Sequence, residues 1–118
     1  MGLQMTSSME NGATVVRVVG GGGPDDDVAH FREELGSHVE RGEGGVLIDL
    51  SGLVSWTSRF QAALLGVVHS LQRSGREVTV DGLAGEAAEQ AHATGMDKTL
   101  PLVRRVIDLT ERSRVGGA

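Results

Sequence analysis

The chain has 118 residues, a formal net charge of −5 and a pI near 5.3, and this length fits one domain with a modest core. The negative charge argues against a direct nucleic-acid interface, which needs clustered positive charge. Because the chain has no cysteine, disulfides, zinc–thiolate sites and cysteine nucleophiles are excluded, and we expect a protein of the reducing cytoplasm.

The first third of the chain predicts a hairpin followed by a helix. Residues 3–9 form a strand candidate, residues 13–19 are rich in β-branched side chains, and Asn11-Gly12 between them favours a tight antiparallel turn. The glycine run from Gly20 to Gly23 ends the second strand, and we interpret it as a flexible loop. Carboxylates at 25–27 suit a helix start, and the apolar spacing after them predicts about four helical turns.

The rest of the chain alternates short apolar runs with amphipathic stretches. The predicted elements are a strand at 46–50 with a turn at Ser51-Gly52, a helix at 58–73, a strand at 77–80, a helix at 86–93 and a short strand at 100–103. This alternation predicts an α/β fold with a mixed sheet of four to five strands, an antiparallel edge hairpin and about four helices. We expect one domain over 1–118, with its core at about 13–102, an edge strand at 3–9 and a C-terminal helix at about 103–114.

Residues that carry catalytic or metal chemistry do not form a recognisable pattern. The histidines lie on predicted helices without tight metal-ligand spacing, and the acidic run at 25–27 lacks the alternation of a calcium loop. No lysine follows the glycine run as a phosphate loop requires, and no serine has an evident base. No apolar run reaches the roughly 20 residues that span a membrane. We therefore predict no enzyme activity, no cofactor, no metal site and no transmembrane segment.

Two adjacent hydroxyls, Thr57 and Ser58, lie where the third predicted strand leads into the second helix. Ser58 is placed to be the N-cap of this helix, which is worth about 0.5–2 kcal/mol. The same position suits a switch, because phosphorylation adds a charge of about −1.5 to −2 beside free backbone N–H groups. Both interpretations stay open at the level of the residues.

Over roughly residues 13–102 the sequence resembles the STAS domain, the fold of bacterial anti-sigma factor antagonists. The segments that carry the resemblance are VLIDLSGLVSWTSRFQAALLGVV, GREVTVDGL and HATGMDKTLPL. The family pattern has a strand ending in Asp-Leu-Ser-Gly, matched by residues 49–52, then Asp-Ser-Ser-Gly-Leu opening a helix. It ends in Thr/Ser-Gly-Leu-Asp, matched by residues 94–97.

The central motif of the family is altered in this chain. Thr57 falls where the motif has Asp, and Ser58 falls on the serine that is phosphorylated in the antagonists. Arg59 replaces the second small residue and Phe60 replaces the glycine. The acceptor hydroxyl is therefore retained beside a bulkier helix start, as in the stressosome branch of the family.

The resemblance implies a non-catalytic regulator that binds an anti-sigma factor of the serine protein kinase type. The implied phosphorylation sites are Ser58 and Thr57, and the implied partner-binding residues are Trp56, Thr57, Ser58, Arg59, Phe60 and Gln61. Trp56 is either an exposed binding anchor or a partly buried cover for the sheet edge. Alternatives are a scaffold subunit of a stressosome-like or phospholipid ABC transporter-associated assembly, including a homo-oligomer, or a small-ligand module that uses the glycine run.

Overall fold

The computed structural model describes residues 2–40, 42 and 44–102. Within them, two consecutive strands are followed by helices and strands in alternation, and a short 3₁₀ turn comes last. The elements are β1 (Leu3–Glu10), β2 (Ala13–Gly22), α1 (Val28–Glu40), β3 (Val46–Trp56), α2 (Ser58–Arg73), β4 (Val78–Asp81), α3 (Gly85–Thr94) and the 3₁₀ turn Met96–Lys98.

The sheet is mixed and has the order β1-β2-β3-β4. The predicted edge hairpin is confirmed, because β1 pairs antiparallel with β2. Asn11 and Gly12 both have positive φ, 53° and 82°, as the tightest hairpin turns require. β2 pairs parallel with β3, and β3 pairs parallel with β4. In the part of the chain that is described, no helix is long and apolar enough to cross a membrane.

The C-terminal end of the described chain differs from the sequence prediction. Residues 100–103 were expected to form a short strand, but Leu102 makes only an isolated parallel bridge to Val80. The described sheet therefore has four strands. The predicted helix at about 103–114 lies outside the described residues, and the assignment of residues 1–118 to one domain stays a prediction.

The strands β2 and β3 are longer than predicted. Gly20 was expected to begin a loop, but β2 continues to Gly22. Three of the four glycines on which the small-ligand alternative depended therefore belong to a strand, and Gly23 alone follows it. The prediction of a turn at Ser51-Gly52 is also wrong, because β3 continues to Trp56. The pairing of β2 with β3 shifts register twice, and the extra residues in β3 form bulges, which keep the two strands paired across both glycine-containing segments.

The core lies between the sheet and the helices. Alternate strand residues such as Val16, Ile48 and Val80 are fully buried, whereas Arg17, between two buried valines, is exposed. The predicted apolar face of α2 is confirmed, and the buried residues of this helix are Phe60, Gln61, Ala63, Leu64, Val67, Val68 and Leu71. Helix α1 packs beside α2, and the rings of Phe31 and Phe60 meet edge to face with centroids 5.2 Å apart.

Candidate functional site

The chain passes from β3 into α2 through a single residue, Thr57, at the end of the central strands. The backbone N–H of Thr57 donates to the carbonyl of Gly22 at 3.2 Å, which ties the junction to the end of β2. The carbonyl of Thr57 accepts from the N–H groups of Phe60 and Gln61, both at 3.1 Å. These bonds fix the first turn of α2 against the sheet.

Thr57, and not Ser58, is the N-cap of α2. Its φ and ψ of −87° and 167° are extended, and no side-chain hydrogen bond caps the helix. Ser58 is the first helical residue and is exposed, so the prediction that Ser58 caps the helix is wrong. Among the described residues, the hydroxyls of Ser74 and Thr94 donate hydrogen bonds, but the hydroxyls of Thr57 and Ser58 make none. Helix capping therefore does not explain why the two hydroxyls are present.

Trp56 is buried, contrary to the interpretation of this side chain as an exposed anchor. Only 2% of its surface is exposed. Its indole Nε1–H donates to the carbonyl of Ala87 at 3.0 Å, and its backbone N–H donates to Oε1 of Gln90 at 2.8 Å. Buried indole groups need such a partner, and here both partners belong to α3. Trp56 therefore attaches α3 to the junction and also lies deeper than the alternative prediction of a partly buried cover.

Phe60, which was predicted to be a partner-binding residue, is also buried, with 1% of its surface exposed, so its side chain cannot contact a partner directly. A Cβ atom placed on Gly22 would lie 2.8 Å from Cδ2 of the Phe60 ring. Such a distance is too short for van der Waals contact, so only glycine fits there without movement. The bulky residue at the helix start is thus accommodated by the last glycine of β2.

Gln61 lies in the core beneath the junction, with 1% of its surface exposed. Its Oε1 accepts from the hydroxyl of Thr94 at 2.6 Å. Its Nε2 is buried without a hydrogen-bond partner among the described residues. A buried side chain cannot touch a docking protein directly, so Gln61 can act on a partner only by linking α2 to α3.

The side chains that do reach solvent at the junction come from both sides of Thr57. Ser58 and Arg59 are exposed and Thr57 is half-buried. Val54 is 65% exposed and is one of two large apolar side chains so exposed among the described residues. We call the side chains of Val54, Thr57, Ser58 and Arg59 the junction surface. The sequence pattern missed Val54, because the bulges in β3 turn it outward.

The Asp-Leu-Ser-Gly segment has a structural role beside this surface. Asp49 accepts from the backbone N–H of Ser51 at 2.9 Å and from Nε of Arg17 at 3.0 Å. Partial burial alone would raise the pKa of Asp49, but the hydrogen bonds from Ser51 and Arg17 outweigh it and hold this pKa below its usual value. The carboxylate therefore stays charged and joins β2 to β3.

The second matched segment, residues 94–97, ends α3. Gly95 has a φ of 80° and forms the left-handed C-cap, which favours glycine. Oδ2 of Asp97 lies 2.9 Å from Nδ1 of His92 on the last turn. Thr94, as described above, contacts Gln61. This segment thus fixes the end of α3 that faces α2.

Other residues considered from the sequence have local structural contacts. Asp27 accepts from the N–H of His30 at 3.1 Å at the start of α1, which agrees with the predicted helix start. His30 and His38 both lie near Glu34, at 3.5 and 3.9 Å. Within the described residues, no group of histidine and acidic side chains has the arrangement that holds a metal ion.

The four-stranded mixed sheet and its helices are similar in fold to solved anti-sigma factor antagonists. One from Mycobacterium paratuberculosis has a TM-score of 0.71 and 22% identity, covering 95% of this chain and 94% of its own. A STAS domain antagonist from Rhodobacter sphaeroides has a TM-score of 0.57 and 25% identity, covering 75% and 94%.

RsbS from Moorella thermoacetica, solved with a serine replaced by glutamate, has a TM-score of 0.63 and 17% identity, covering 98% and 99%. No curated protein matches the chain significantly. The family described as "Mlab, STAS domain" matches residues 5–105. The chain belongs to this STAS domain family, which confirms the family predicted from the sequence.

Proposed function

We propose that this chain is a non-catalytic regulatory protein of the cytoplasm that binds an anti-sigma factor of the serine protein kinase type. The junction surface makes the contact, and phosphorylation of Ser58 switches it. The proposal is supported by the family and by the similarity to anti-sigma factor antagonists. Trp56, Phe60 and Gln61 belong to the supporting structure behind the surface, since all three are buried.

The observation that carries the proposal is the state of the Ser58 hydroxyl. It is exposed at the first position of α2 and has no side-chain hydrogen bond within the described residues. Thr57 supplies the extended N-cap conformation in its place. A hydroxyl that is exposed to a partner and makes no side-chain hydrogen bond can be covalently modified without loss of a structural contact.

Phosphorylation at this position changes the surface without disrupting the fold. The kinase transfers the γ-phosphoryl group of ATP to Oγ of Ser58, so that a P–O bond forms, ADP leaves and the hydroxyl proton is lost. The first turn of α2 contains no acidic residue, and the helix dipole favours negative charge there. The added charge of about −1.5 to −2 would then repel or displace a partner that docks on Val54 and Arg59. Thr57 is a second acceptor.

The proposal is tested by replacing Ser58 and measuring binding to the kinase-type partner isolated with the wild-type protein. Ser58→Ala should keep binding within about threefold and abolish phosphorylation at position 58, and Ser58→Asp should weaken binding by at least about tenfold, or about 1.4 kcal/mol. Ser37→Asp is the matched control, because it adds the same charge to an exposed serine on α1. Equal binding of the wild type and Ser58→Asp would contradict the switch.

The alternative is a scaffold subunit of a stressosome-like or phospholipid ABC transporter-associated assembly. It is supported by the bulk of Arg59 and Phe60 at the helix start, where the family motif has small residues. This alternative predicts that the protein stays in a large complex and that Ser58→Asp leaves the assembly unchanged. Size measurement of the complex in cell extract, with both Ser58 variants, separates the two functions.

A further inference from the structure

A groove of about 460 Å³ runs between α1 and α2, away from the junction surface. Arg32, Gly36 and Glu40 line it from α1, and Gly66 and Ser70 line it from α2. The groove lies along the later part of α2, and Ser58 is eight residues before Gly66, about 12 Å along the helix axis. An occupant of the groove can therefore leave Ser58 accessible.

Two glycines form open positions in the groove. A Cβ atom on Gly36 or on Gly66 would meet nothing within 4 Å, so packing within the chain does not require glycine at either position. Glycine inside a helix costs about 0.5–1 kcal/mol relative to alanine. Both positions leave the helix backbone accessible, as close packing against a further helix requires.

The charges on α1 are arranged so that two antiparallel copies of this helix place opposite charges against each other. Arg32, Gly36 and Glu40 are spaced four residues apart and follow one line along the helix. If two copies of α1 cross antiparallel at Gly36, Arg32 of each copy lies opposite Glu40 of the other. Both side chains are exposed, and neither takes part in an ion pair within the described residues.

The second wall of the groove contains no charged residue and is formed by Gly66, Val67, Ser70 and Leu71 of α2. Helix α1 carries three glutamates and one arginine, whereas α2 carries two arginines and no acidic residue. A second copy of α1 that lies in the groove would therefore place an acidic helix beside a basic one. The two arginines lie near the ends of α2, so the match of Arg32 with Glu40 in the groove lining is what favours another copy of the same chain over an unrelated helix.

We propose that a second copy of this chain occupies the groove, with α1 packed against α1 around a twofold axis at Gly36. Such an interface is isologous, so every contact occurs twice. The two Arg32–Glu40 pairs set the antiparallel register, and the glycines allow close approach. The pairing goes beyond the proposed switch, because it uses a different part of the surface.

Sedimentation equilibrium of the full chain over a wide concentration range tests this interface. The wild type should form dimers, and Arg32→Glu or Glu40→Arg should each weaken dimerisation by at least about tenfold, because like charges then face each other twice. The double variant Arg32→Glu/Glu40→Arg should recover dimerisation to within about threefold of the wild type. Glu89→Arg makes the same charge reversal at an exposed residue of α3 and should leave dimerisation unchanged.

Gly36→Leu provides a second variant, because the open space at Gly36 lets the monomer fold while the side chain blocks the crossing. It should remain folded by circular dichroism and be monomeric. A wild type that is monomeric at every concentration, or a dimer that none of these variants weakens, would overturn the proposal and leave the groove to another partner. Binding of the kinase-type partner and Ser58 phosphorylation should persist in Arg32→Glu, so failure of the dimer is distinguishable from failure of the switch.

Discussion

At Ser58, the free energy of unfolding of substituted variants distinguishes a helix cap from a switch. Because its hydroxyl makes no side-chain hydrogen bond in the described part of the chain, Ser58→Ala should change the free energy of unfolding by less than about 0.5 kcal/mol. Ser58→Asp should stabilise α2 by about 0.3–1 kcal/mol through the helix dipole. Urea unfolding followed by the fluorescence of Trp56, the single tryptophan, measures both. A loss above about 1 kcal/mol in Ser58→Ala would show that the hydroxyl caps the helix.

We predict that the stability of the fold requires glycine at position 22, because the ring of Phe60 packs against it. Gly22→Ala should lower the free energy of unfolding by about 1–3 kcal/mol, since the new methyl group overlaps the ring. Gly23→Ala is the matched control, because its Cβ would lie 3.5 Å from Oδ2 of Asp26, an ordinary contact. Phe60→Leu should cost less in the Gly22→Ala background than alone. Additive costs in a thermal unfolding series would contradict the proposed fit.

Asp49 should make stability depend on pH in a defined direction. Its pKa in the folded protein is below the ordinary value of 3.8, so its contribution is complete above that value and is lost as the pH falls through the lower, folded pKa. Asp49→Asn should therefore cost about 1 kcal/mol near pH 6, and the difference from the wild type should shrink below about pH 4. Asp25→Asn, at an exposed carboxylate, is the control. A difference that stays constant with pH would refute this role.

At the scale of elements, α3 depends on the junction for its position. Trp56→Phe removes the Nε1–H donor and leaves the carbonyl of Ala87 without that partner, which should cost about 1–3 kcal/mol. Amide hydrogen exchange should speed up in α3 more than in α1. Uniform loss of protection across the chain would instead indicate that Trp56 contributes only general core volume.

The local signals in the sequence were sufficient for the hairpin and the helices. Asn11-Gly12 determines its turn through its own backbone preferences, and the helical spacing of apolar residues correctly placed α1 and α2. The extensions of β2 and β3 were missed because they depend on non-local packing, such as Gly22 against Phe60. Glycines that lie beneath a ring cannot be distinguished from loop glycines by local pattern.

The candidate site was predicted only in part for the same reason. The strand-to-helix junction and Ser58 follow from the family motif. The buried positions of β3 are spaced by two up to Leu50 and then by three, at Leu53 and Trp56. This change, caused by the bulges, turns Leu53 inward and Val54 outward. No alternation rule applied to the sequence gives that result.

At the scale of the whole molecule, the described chain presents two separate surfaces on one core. The junction surface lies where β3 meets α2, and the α1–α2 groove lies farther along α2. Both surfaces share α2, whose buried face connects them through the core. The separation of the two surfaces means that the proposed dimer would leave Ser58 accessible to the proposed kinase.

The central claim, that Ser58 is a phosphorylation switch, is tested most directly by phosphosite mapping of the protein from its native cells under several growth and stress conditions. Trypsin should release residues 42–59 as GEGGVLIDLSGLVSWTSR, which holds Ser51, Ser55, Thr57 and Ser58. We expect phosphate on Ser58, with Thr57 as the second site, in a fraction that changes with conditions. A peptide that is unmodified under every condition would contradict the switch and favour the scaffold.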